Sequence, residues 1–222
     1  MPNESKLAEM LCTRLCHDLT GPIGAVNNGA EFLDEEGFDM QNQAVQLIVS
    51  SAQEAVNRLM FYRQAYGRVS DSGEVSLEEK KRLASDFFAS TKIKLDWPDS
   101  HTDAAGISIS QKMSRLILNL LIVAAHSMIR GGTLSVRLSV NDMGDKQIHI
   151  QGNGDVIKMD PETVAILKGQ HEGMAVTPKS AQPMLTMKIA TDVGASVAFD
   201  VQSDALTLVA TQRQMILTSA AV

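Results

Sequence analysis

The chain has 222 residues, of which 44% are hydrophobic, and this is enough for one large or two small domains with a buried core. A formal net charge of −6 argues against a nucleic-acid-binding protein that relies on phosphate contacts. The first residues lack the apolar core of a signal peptide, and the most apolar run, residues 116–125, is too short to span a bilayer. We therefore expect a soluble cytoplasmic protein that contacts neither nucleic acid nor membrane.

The first predicted element is a long helix over residues 4–35, with a bend expected at Pro22. At about 100° per residue, its apolar residues gather on one broad side. They are Leu7, Leu11, Leu15, Leu19, Ile23, Val26, Phe32 and Leu33. His17 falls almost opposite the centre of this side, so the pattern predicts that the histidine faces water.

His17 has the surroundings of a nucleophile rather than those of an ordinary surface histidine. A neutral imidazole is a good nucleophile, and the neighbouring Asp18 could orient the ring or take its proton. Gly21 and Gly24 lie one and two helical turns further on, although glycine inside a helix costs about 1 kcal/mol relative to alanine. Two glycines beside an exposed histidine indicate that a large partner approaches it closely.

The sequence His-Asp-Leu-x-x-Pro-Ile at residues 17–23 resembles the phosphoacceptor box of two-component histidine kinases. The longer run over residues 11–29 is similar to the ChpT-type histidine phosphotransferases of alphaproteobacterial phosphorelays. This resemblance implies a dimeric helical bundle that carries the histidine, followed by a kinase-like α/β domain that no longer uses ATP.

Residues 40–67 predict a second helix, and the short break at residues 37–39 makes the two helices an antiparallel hairpin. Its apolar stripe comprises Val45, Ile48, Val49, Ala52, Val56, Leu59 and Tyr66. Two helices cannot bury such surfaces alone, so we expect a second copy of the hairpin to complete a four-helix bundle in a homodimer. The alternative is that the hairpin packs on the C-terminal part of its own chain.

The end of the second helix, residues 57–67, also resembles the corresponding segment of the ChpT-like family. Folding the hairpin about its break places Arg58 roughly level with His17. Arg58 and Tyr62 are therefore expected to flank the histidine, and the alternative is that they are ordinary solvated helix residues.

The two cysteines of the chain, Cys12 and Cys16, lie four residues apart on the apolar border of the first helix. A disulfide is not expected in the cytoplasm, and the spacing matches neither a haem signature nor a zinc site with visible further ligands. We interpret both as small buried hydrophobic residues.

A polar linker over residues 69–75 separates a hairpin domain, residues 1–70, from an α/β domain, residues 76–222. The predicted elements of the second domain are a helix from Ser76 to about Ser90 with a capping box at Glu79, a strand over 92–97, a buried helix over 110–130, strands over 133–140 and 146–151, a short helix from Pro161, a helix over 178–193, and strands over 195–201 and 205–211. Helices on one face of a mixed sheet make an α/β sandwich, so the fold class of the whole chain is α+β.

This order of elements resembles the ATP-binding domain of histidine kinases. Such a domain has a helix with Asn-x-x-x-Asn whose second Asn helps to hold magnesium, but here Asn119 is followed by Val123, which has no oxygen to offer. No carboxylate occupies the adenine-reading position near Gln151, and we interpret Gly152 and Gly154 as turn glycines. We therefore expect no nucleotide, metal or other cofactor to be bound by this chain.

The function that this pattern favours is an intermediate in a phosphorelay, in which His17 receives a phosphoryl group from the aspartyl phosphate of one receiver domain and passes it to the aspartate of another. The family resemblance implies a hybrid-kinase receiver upstream and a response regulator downstream, each bringing its own Mg²⁺. The receiver is expected to dock on Thr13, Thr20, Gly21 and Gly24, with Arg58 and Tyr62 at the edge. Two alternatives stay open, an active ATP-dependent histidine kinase with a divergent nucleotide site and a non-catalytic dimeric scaffold.

Overall fold

The computed structural model describes residues 2–33, 38–68, 76–98 and 107–214. Helix α1 spans Pro2–Phe32 and helix α2 spans Phe38–Tyr66. Residue 18 contacts residues 58 and 62, whereas residue 29 lies against residues 44 and 48, so the two helices run antiparallel, as predicted. The predicted linker over residues 69–75 lies outside the described residues, and the division into domains 1–70 and 76–222 stays a prediction.

The close approach of α1 and α2 depends on Gly29. A Cβ atom on this residue would lie 2.7 Å from Ile48 Cγ1 and 3.2 Å from the Ala44 carbonyl oxygen. Any side chain at this position would therefore push the helices apart or displace Ile48. Packing between α1 and α2 thus explains why residue 29 is a glycine.

The side of α2 that packs within the chain differs from the predicted apolar stripe. Val49 and Val56 of that stripe are 63% and 52% exposed. The side that is buried instead carries Ala44, Ser51, Tyr62 and Ala65. Helical periodicity identifies an apolar side but does not tell which chain covers it. Among the described side chains, nine large hydrophobic ones on the hairpin stay exposed, and we call them the hairpin apolar face: Ile23, Phe32, Leu33, Met40, Val45, Val49, Val56, Leu59 and Met60.

Both cysteines are exposed, so the prediction that Cys12 and Cys16 are buried hydrophobic residues is wrong. At about 100° per residue they lie on the border of the apolar side of α1, next to the exposed Ile23 rather than on the side that packs on α2. A border position is buried only where a neighbouring helix reaches it, and sequence periodicity does not reveal how far that helix reaches.

From residue 76 onward, the described residues form four helices and five strands in the predicted order. They are α3 Leu77–Phe88, β1 Ile93–Asp96, α4 Gln111–Ser127, β2 Gly132–Val140, β3 Lys146–Asn153, α5 Pro161–Leu167, α6 Ala181–Asp192, β4 Ala195–Val201 and β5 Ala205–Gln212. The predicted capping box at the start of α3 is present in part, because the Ser76 side chain accepts a hydrogen bond from the backbone N–H of Glu79. Within the described residues, every helix is too short or too polar to cross a membrane.

The five strands form one mixed sheet in the order β1-β2-β3-β5-β4. Strand β1 runs parallel to β2, and the other neighbouring strands are antiparallel. Alternate residues of β2, namely Leu134, Val136 and Leu138, are buried on one face. Helix α4 lies between that face and the helices α2 and α6, and this position explains why it is buried on most sides.

The C-terminal end of α2 is fixed to α4 by hydrogen bonds. Arg115 donates through Nε to the Ala65 carbonyl at 2.9 Å and through Nη2 to the Tyr66 carbonyl at 3.0 Å, and Asn119 donates through Nδ2 to Ala65 at 2.8 Å. The last carbonyls of a helix have no partner inside the helix, so α4 supplies their donors. The hairpin therefore packs on the α/β part of its own chain at this end, while the hairpin apolar face stays open.

Candidate functional site

The side chain of His17 stands out from α1 into solvent and is 86% exposed. Thr13 and Thr20 lie about one turn to either side and are also exposed. Each threonine donates its hydroxyl to a carbonyl of its own helix four residues earlier, at 2.9 and 2.8 Å. The exposed position predicted for His17 agrees with the structure, and the imidazole is accessible to a partner.

Asp18 engages one nitrogen of the histidine ring. Its Oδ1 atom lies 3.2 Å from His17 Nδ1. In a neutral imidazole one nitrogen carries the proton and the other carries the lone pair, so a carboxylate beside Nδ1 favours the proton there. Within the described part of the chain, no hydrogen-bond partner reaches Nε2. The arrangement therefore presents Nε2 as the nucleophilic atom.

The Asp18 carboxylate is itself held by side chains from both helices. The Tyr62 hydroxyl donates to Asp18 Oδ2 at 2.5 Å, and Arg14 Nε lies 3.8 Å from the same oxygen. Arg58 donates through Nη1 to the Asp18 backbone carbonyl at 3.0 Å and pairs with Glu54 at 2.5 Å. The position of the carboxylate is thus set by α2 as well as by α1.

Tyr62 is a buried part of this arrangement, with only 3% of its surface exposed. Burial, and then the hydrogen bond to Asp18, raise the pKa of the Tyr62 hydroxyl above its ordinary value, so the hydroxyl remains a donor at neutral pH. The sequence placed Tyr62 at the edge of a receiver-docking face, and this is wrong because a buried ring offers no surface to a partner. Hairpin register is predictable from sequence, but burial by a later helix is not.

The two glycines beside His17 are not required by the fold of the chain. Among the described residues outside the local backbone of α1, no atom would lie within 4 Å of a Cβ atom on Gly21 or on Gly24. This differs from Gly29, where a Cβ atom would collide with α2. Because glycine weakens an exposed helix and nothing inside the chain calls for it here, the space above Gly21 and Gly24 is consistent with the close approach of a partner.

Sequence reasoning found Arg58 but missed Arg14. Arg58 was expected to flank His17, and the structure places its guanidinium on the neighbouring Asp18 instead. Arg14 also contacts Asp18, and it hydrogen-bonds to His126 of α4. The separation of four residues between Arg14 and Asp18 was a visible signal, since charges at that spacing meet on a helix.

Comparison with known proteins bears on this site. A family model described as the histidine phosphotransferase C-terminal domain matches residues 77–205. Protein phosphotransferase ChpT of Brucella abortus (strain 2308) is 31% identical over 193 residues, which are 86% of this chain and 88% of that protein. The chain belongs to the histidine phosphotransferase family.

One solved structure is similar along almost the whole chain. A bacterial phosphotransferase superposes with a TM-score of 0.76 and 30% identity, covering 92% of this chain and 95% of that one. A histidine kinase domain from Erythrobacter litoralis gives a TM-score of 0.45 at 12% identity, covering 90% of this chain and 95% of that one. The predicted family, the α+β fold class and the histidine phosphotransferase function in a phosphorelay are confirmed.

In this phosphotransferase, Asn119 is part of the packing between α2, α4 and α6. Its side chain is fully buried, donates to the Ala65 carbonyl, and accepts a hydrogen bond from Gln182 Nε2 at 2.9 Å. Val123, one turn later, is 2% exposed. The asparagine that matches the first Asn of the kinase motif is therefore used to join parts of the chain.

The interpretation of Gly152 as a turn glycine is wrong, because this residue belongs to β3. Gly152 is buried within β3, paired with Leu134 and Leu206. Gly154 follows β3, and a Cβ atom there would lie 2.4 Å from the Gly131 carbonyl oxygen. Both glycines serve close packing around the end of β3.

A cavity of 590 Å³ lies beside Val123 and extends to Arg14 of α1. Its basic wall includes Lys158 and Lys179, and Lys179 is paired with Asp160 at 2.9 Å.

Across the described residues, no group of three or more His, Cys, Asp and Glu side chains is arranged so that it could hold a metal ion.

Proposed function

We propose that His17 is the phosphoacceptor of this phosphotransferase and that it reacts through Nε2. The observation that carries the proposal is the pairing of an exposed imidazole with a fixed carboxylate on Nδ1, which leaves Nε2 open. An accessible, oriented nucleophile is the contribution that such a carrier must make.

The phosphoryl group is transferred in a single displacement step at each receiver. The lone pair of Nε2 attacks the phosphorus of an aspartyl phosphate, an N–P bond forms, and the P–O bond to the receiver carboxylate breaks. The ring keeps its proton on Nδ1 and gains positive charge, which the Asp18 carboxylate offsets at 3.2 Å. The reverse step, on the aspartate of a second receiver, returns the imidazole to its neutral form.

We place the receiver on the face of α1 that carries His17. Thr13, Thr20, Gly21 and Gly24 surround the histidine there, and the two glycines leave open space for receiver loops. The partners proposed are the receiver of a hybrid kinase upstream and a response regulator downstream, and each supplies Mg²⁺ from its own acidic pocket. A carrier between such receivers must share their compartment, which we take to be the cytoplasm.

The hairpin apolar face supports a homodimer. Large exposed hydrophobic residues clustered on one module of a protein mark an interaction surface. Two copies of α1 and α2 would bury this face as a four-helix bundle. Both histidines would remain outside the bundle, because His17 lies on the opposite side of α1 from its apolar residues.

The structure offers little support for the alternative that the chain is an ATP-dependent kinase. Asn119 is held by Ala65 and Gln182, and the side chain of Val123 cannot coordinate magnesium. Incubation of the purified protein with Mg-ATP is therefore expected to yield no phosphohistidine. Autophosphorylation under these conditions would favour the kinase alternative.

The central test is to mix the protein with a phosphorylated receiver and to follow the label. We expect acid-labile, base-stable label on the wild-type protein and none on His17→Gln, with unchanged circular dichroism and oligomeric state. Label retained on His17→Gln would show that another residue is the acceptor. A wild-type protein that takes no label from any tested receiver would favour the scaffold alternative.

A further inference from the structure

We propose that Tyr62 is a positioning residue for phosphoryl transfer, and that the α/β part of the chain acts on the reaction by holding it. The Tyr62 hydroxyl fixes the Asp18 carboxylate, and that carboxylate fixes the His17 ring. The inference rests on the proposed role of His17 as phosphoacceptor.

The contacts form a continuous path from α2 to the nucleophile. The Tyr62 hydroxyl donates to Asp18 Oδ2, and Asp18 Oδ1 faces His17 Nδ1. The two carboxylate oxygens thus have separate partners, so a rotation of the carboxylate would break both contacts. Tyr62 is buried and cannot touch a receiver, so any effect on transfer must pass through Asp18.

The Tyr62 ring is held by aromatic neighbours on two helices. It stacks on Tyr66 of α2, with ring centroids 5.1 Å apart and an interplanar angle of 28°. It also packs edge-to-face against Phe87 of α3, at 5.6 Å and 80°. Helix α3 belongs to the α/β part, so that part of the chain determines where the hydroxyl lies. The same path predicts that the α/β part contributes to transfer without itself meeting phosphate.

The chemical consequence concerns the tautomer and orientation of the imidazole. Nε2 has a lone pair for attack only when the proton is on Nδ1. Without the Tyr62 hydrogen bond, the Asp18 carboxylate is free to turn away, and the ring loses its preference for that tautomer and for one orientation. Partners behind a reacting residue commonly set its tautomer in this way.

Tyr62→Phe removes only the hydroxyl and keeps the buried ring. We expect the maximal transfer rate from a phosphorylated receiver to fall about tenfold, below the roughly hundredfold that a misplacement of 1 Å can cost. The receiver concentration at half-maximal rate should not change. The ¹⁵N shifts of the His17 ring should move away from the Nδ1–H tautomer.

Tyr66→Phe is the matched control, because it deletes a half-buried hydroxyl from the same ring stack. That hydroxyl donates to Gln182 at 2.7 Å and does not reach Asp18. We expect wild-type transfer and wild-type ¹⁵N shifts for this variant. In an Asp18→Asn background, Tyr62→Phe should cost nothing further, because the path through the carboxylate is already lost.

A Tyr62→Phe protein with wild-type rate and wild-type ring shifts would overturn the inference. A raised half-maximal receiver concentration with an unchanged maximal rate would also overturn it, since that result assigns Tyr62 to docking. The ring shifts test the hydrogen-bond path even if His17→Gln proves that another residue accepts phosphate. Failure of the acceptor assignment and failure of the positioning role are therefore separate results.

Discussion

At the scale of single residues, the site depends on one carboxylate that meets two donors. Asp18→Asn keeps the shape of the side chain but leaves only one oxygen to accept, so it cannot serve both Tyr62 and His17 Nδ1–H. It also removes the negative charge that would offset the positive charge of the His17 ring after the proposed phosphorylation. We expect transfer from a phosphorylated receiver to slow by about a hundredfold, measured as an initial rate of labelling.

The control for this variant is its melting curve, which should show a folded protein. A folded Asp18→Asn that transfers at the wild-type rate would mean that orientation by Asp18 is not needed. The variant and the wild-type protein differ only in one carboxylate oxygen, which an amide NH2 group replaces. Such a result would therefore leave the exposure of His17 as the only contribution of the site.

Substitutions of two glycines of α1, Gly21 and Gly29, should change the free energy of unfolding in opposite directions. Gly21→Leu has open space and replaces the weakest helix former apart from proline, so it should raise the free energy of unfolding by about 0.5–1 kcal/mol. The same side chain should slow transfer sharply by holding the receiver away from His17. Gly29→Ala meets Ile48 and should lower the free energy of unfolding by about 1 kcal/mol.

Urea denaturation and the initial transfer rate, measured on each preparation, test this pair of variants. Wild-type transfer by Gly21→Leu would place the receiver elsewhere. A stabilised Gly29→Ala would mean that the two helices separate at little cost, contrary to the contact with Ile48 seen here.

The exposure of His17 was predictable because it follows from a pattern within one helix. The sequence predicted only one of the two features on which the contact of Tyr62 with Asp18 depends. Hairpin register brought residues 58 and 62 to the right level, but a positioning role depends on burial beneath α3, which no local pattern encodes. For the same reason, sequence alone could not separate a docking residue from one that supports the site from behind.

At the scale of elements, local signals determined where helices begin more reliably than which face they bury. Ser76 and Ser110 each cap a helix by accepting a backbone N–H, and both helices start where the sequence predicted. The α4 helix ends at Ser127 rather than at residue 130, because Met128 forms an isolated bridge with Ile157. The apolar stripe of α2 was identified correctly as apolar, yet most of it faces away from its own chain.

The junction of α2 with α4 gives a test at this scale. Asn119→Ala should lower the free energy of unfolding by about 1–3 kcal/mol, because Gln182 Nε2 loses its nearest buried acceptor and the Ala65 carbonyl loses one donor. The midpoint of urea denaturation measures this change.

Asn27→Ala is the matched control for the junction, since Asn27 is an exposed helix residue whose side chain donates a hydrogen bond to Glu31 of the same helix. Its effect should stay within about 0.5 kcal/mol. Equal effects of the two substitutions would mean that the polar contacts of Asn119 do not hold the hairpin to the α/β part.

At the scale of the whole molecule, the hairpin apolar face makes a prediction about assembly. Val49→Lys combined with Val56→Lys places two charges on exposed positions of α2, where they should not disturb the fold of one chain. They should repel a second copy and yield a folded monomer by light scattering, whereas the wild-type protein should be a dimer.

Met143→Lys is the control for assembly, because Met143 is 78% exposed at the turn between β2 and β3 and does not belong to the hairpin apolar face. This variant should remain dimeric. A double valine variant that is still a dimer would show that another surface joins the two copies.

The overall organisation was predictable because the order of elements follows from patterns along the chain. The packing of the hairpin against the α/β part was not predictable. One continuous core includes Leu11 and Phe61 of the hairpin together with Leu116 and Leu134 of the sandwich. Such contacts join residues that are far apart in sequence, and single-chain patterns carry no information about which distant faces meet.

The exposed cysteines of α1 have a practical consequence. Cys12 and Cys16 are the only cysteines of the chain, and both lie within about one and a half helical turns of His17. Cys16 is adjacent to His17 in the chain, whereas Cys12 is turned about 140° away from it at 100° per residue. A fluorophore or spin label attached to Cys16 by thiol chemistry would therefore lie close to His17 without an engineered anchor. With Cys12→Ser, a single dye on Cys16, the residue directly before His17, should report the arrival and departure of a receiver in real time.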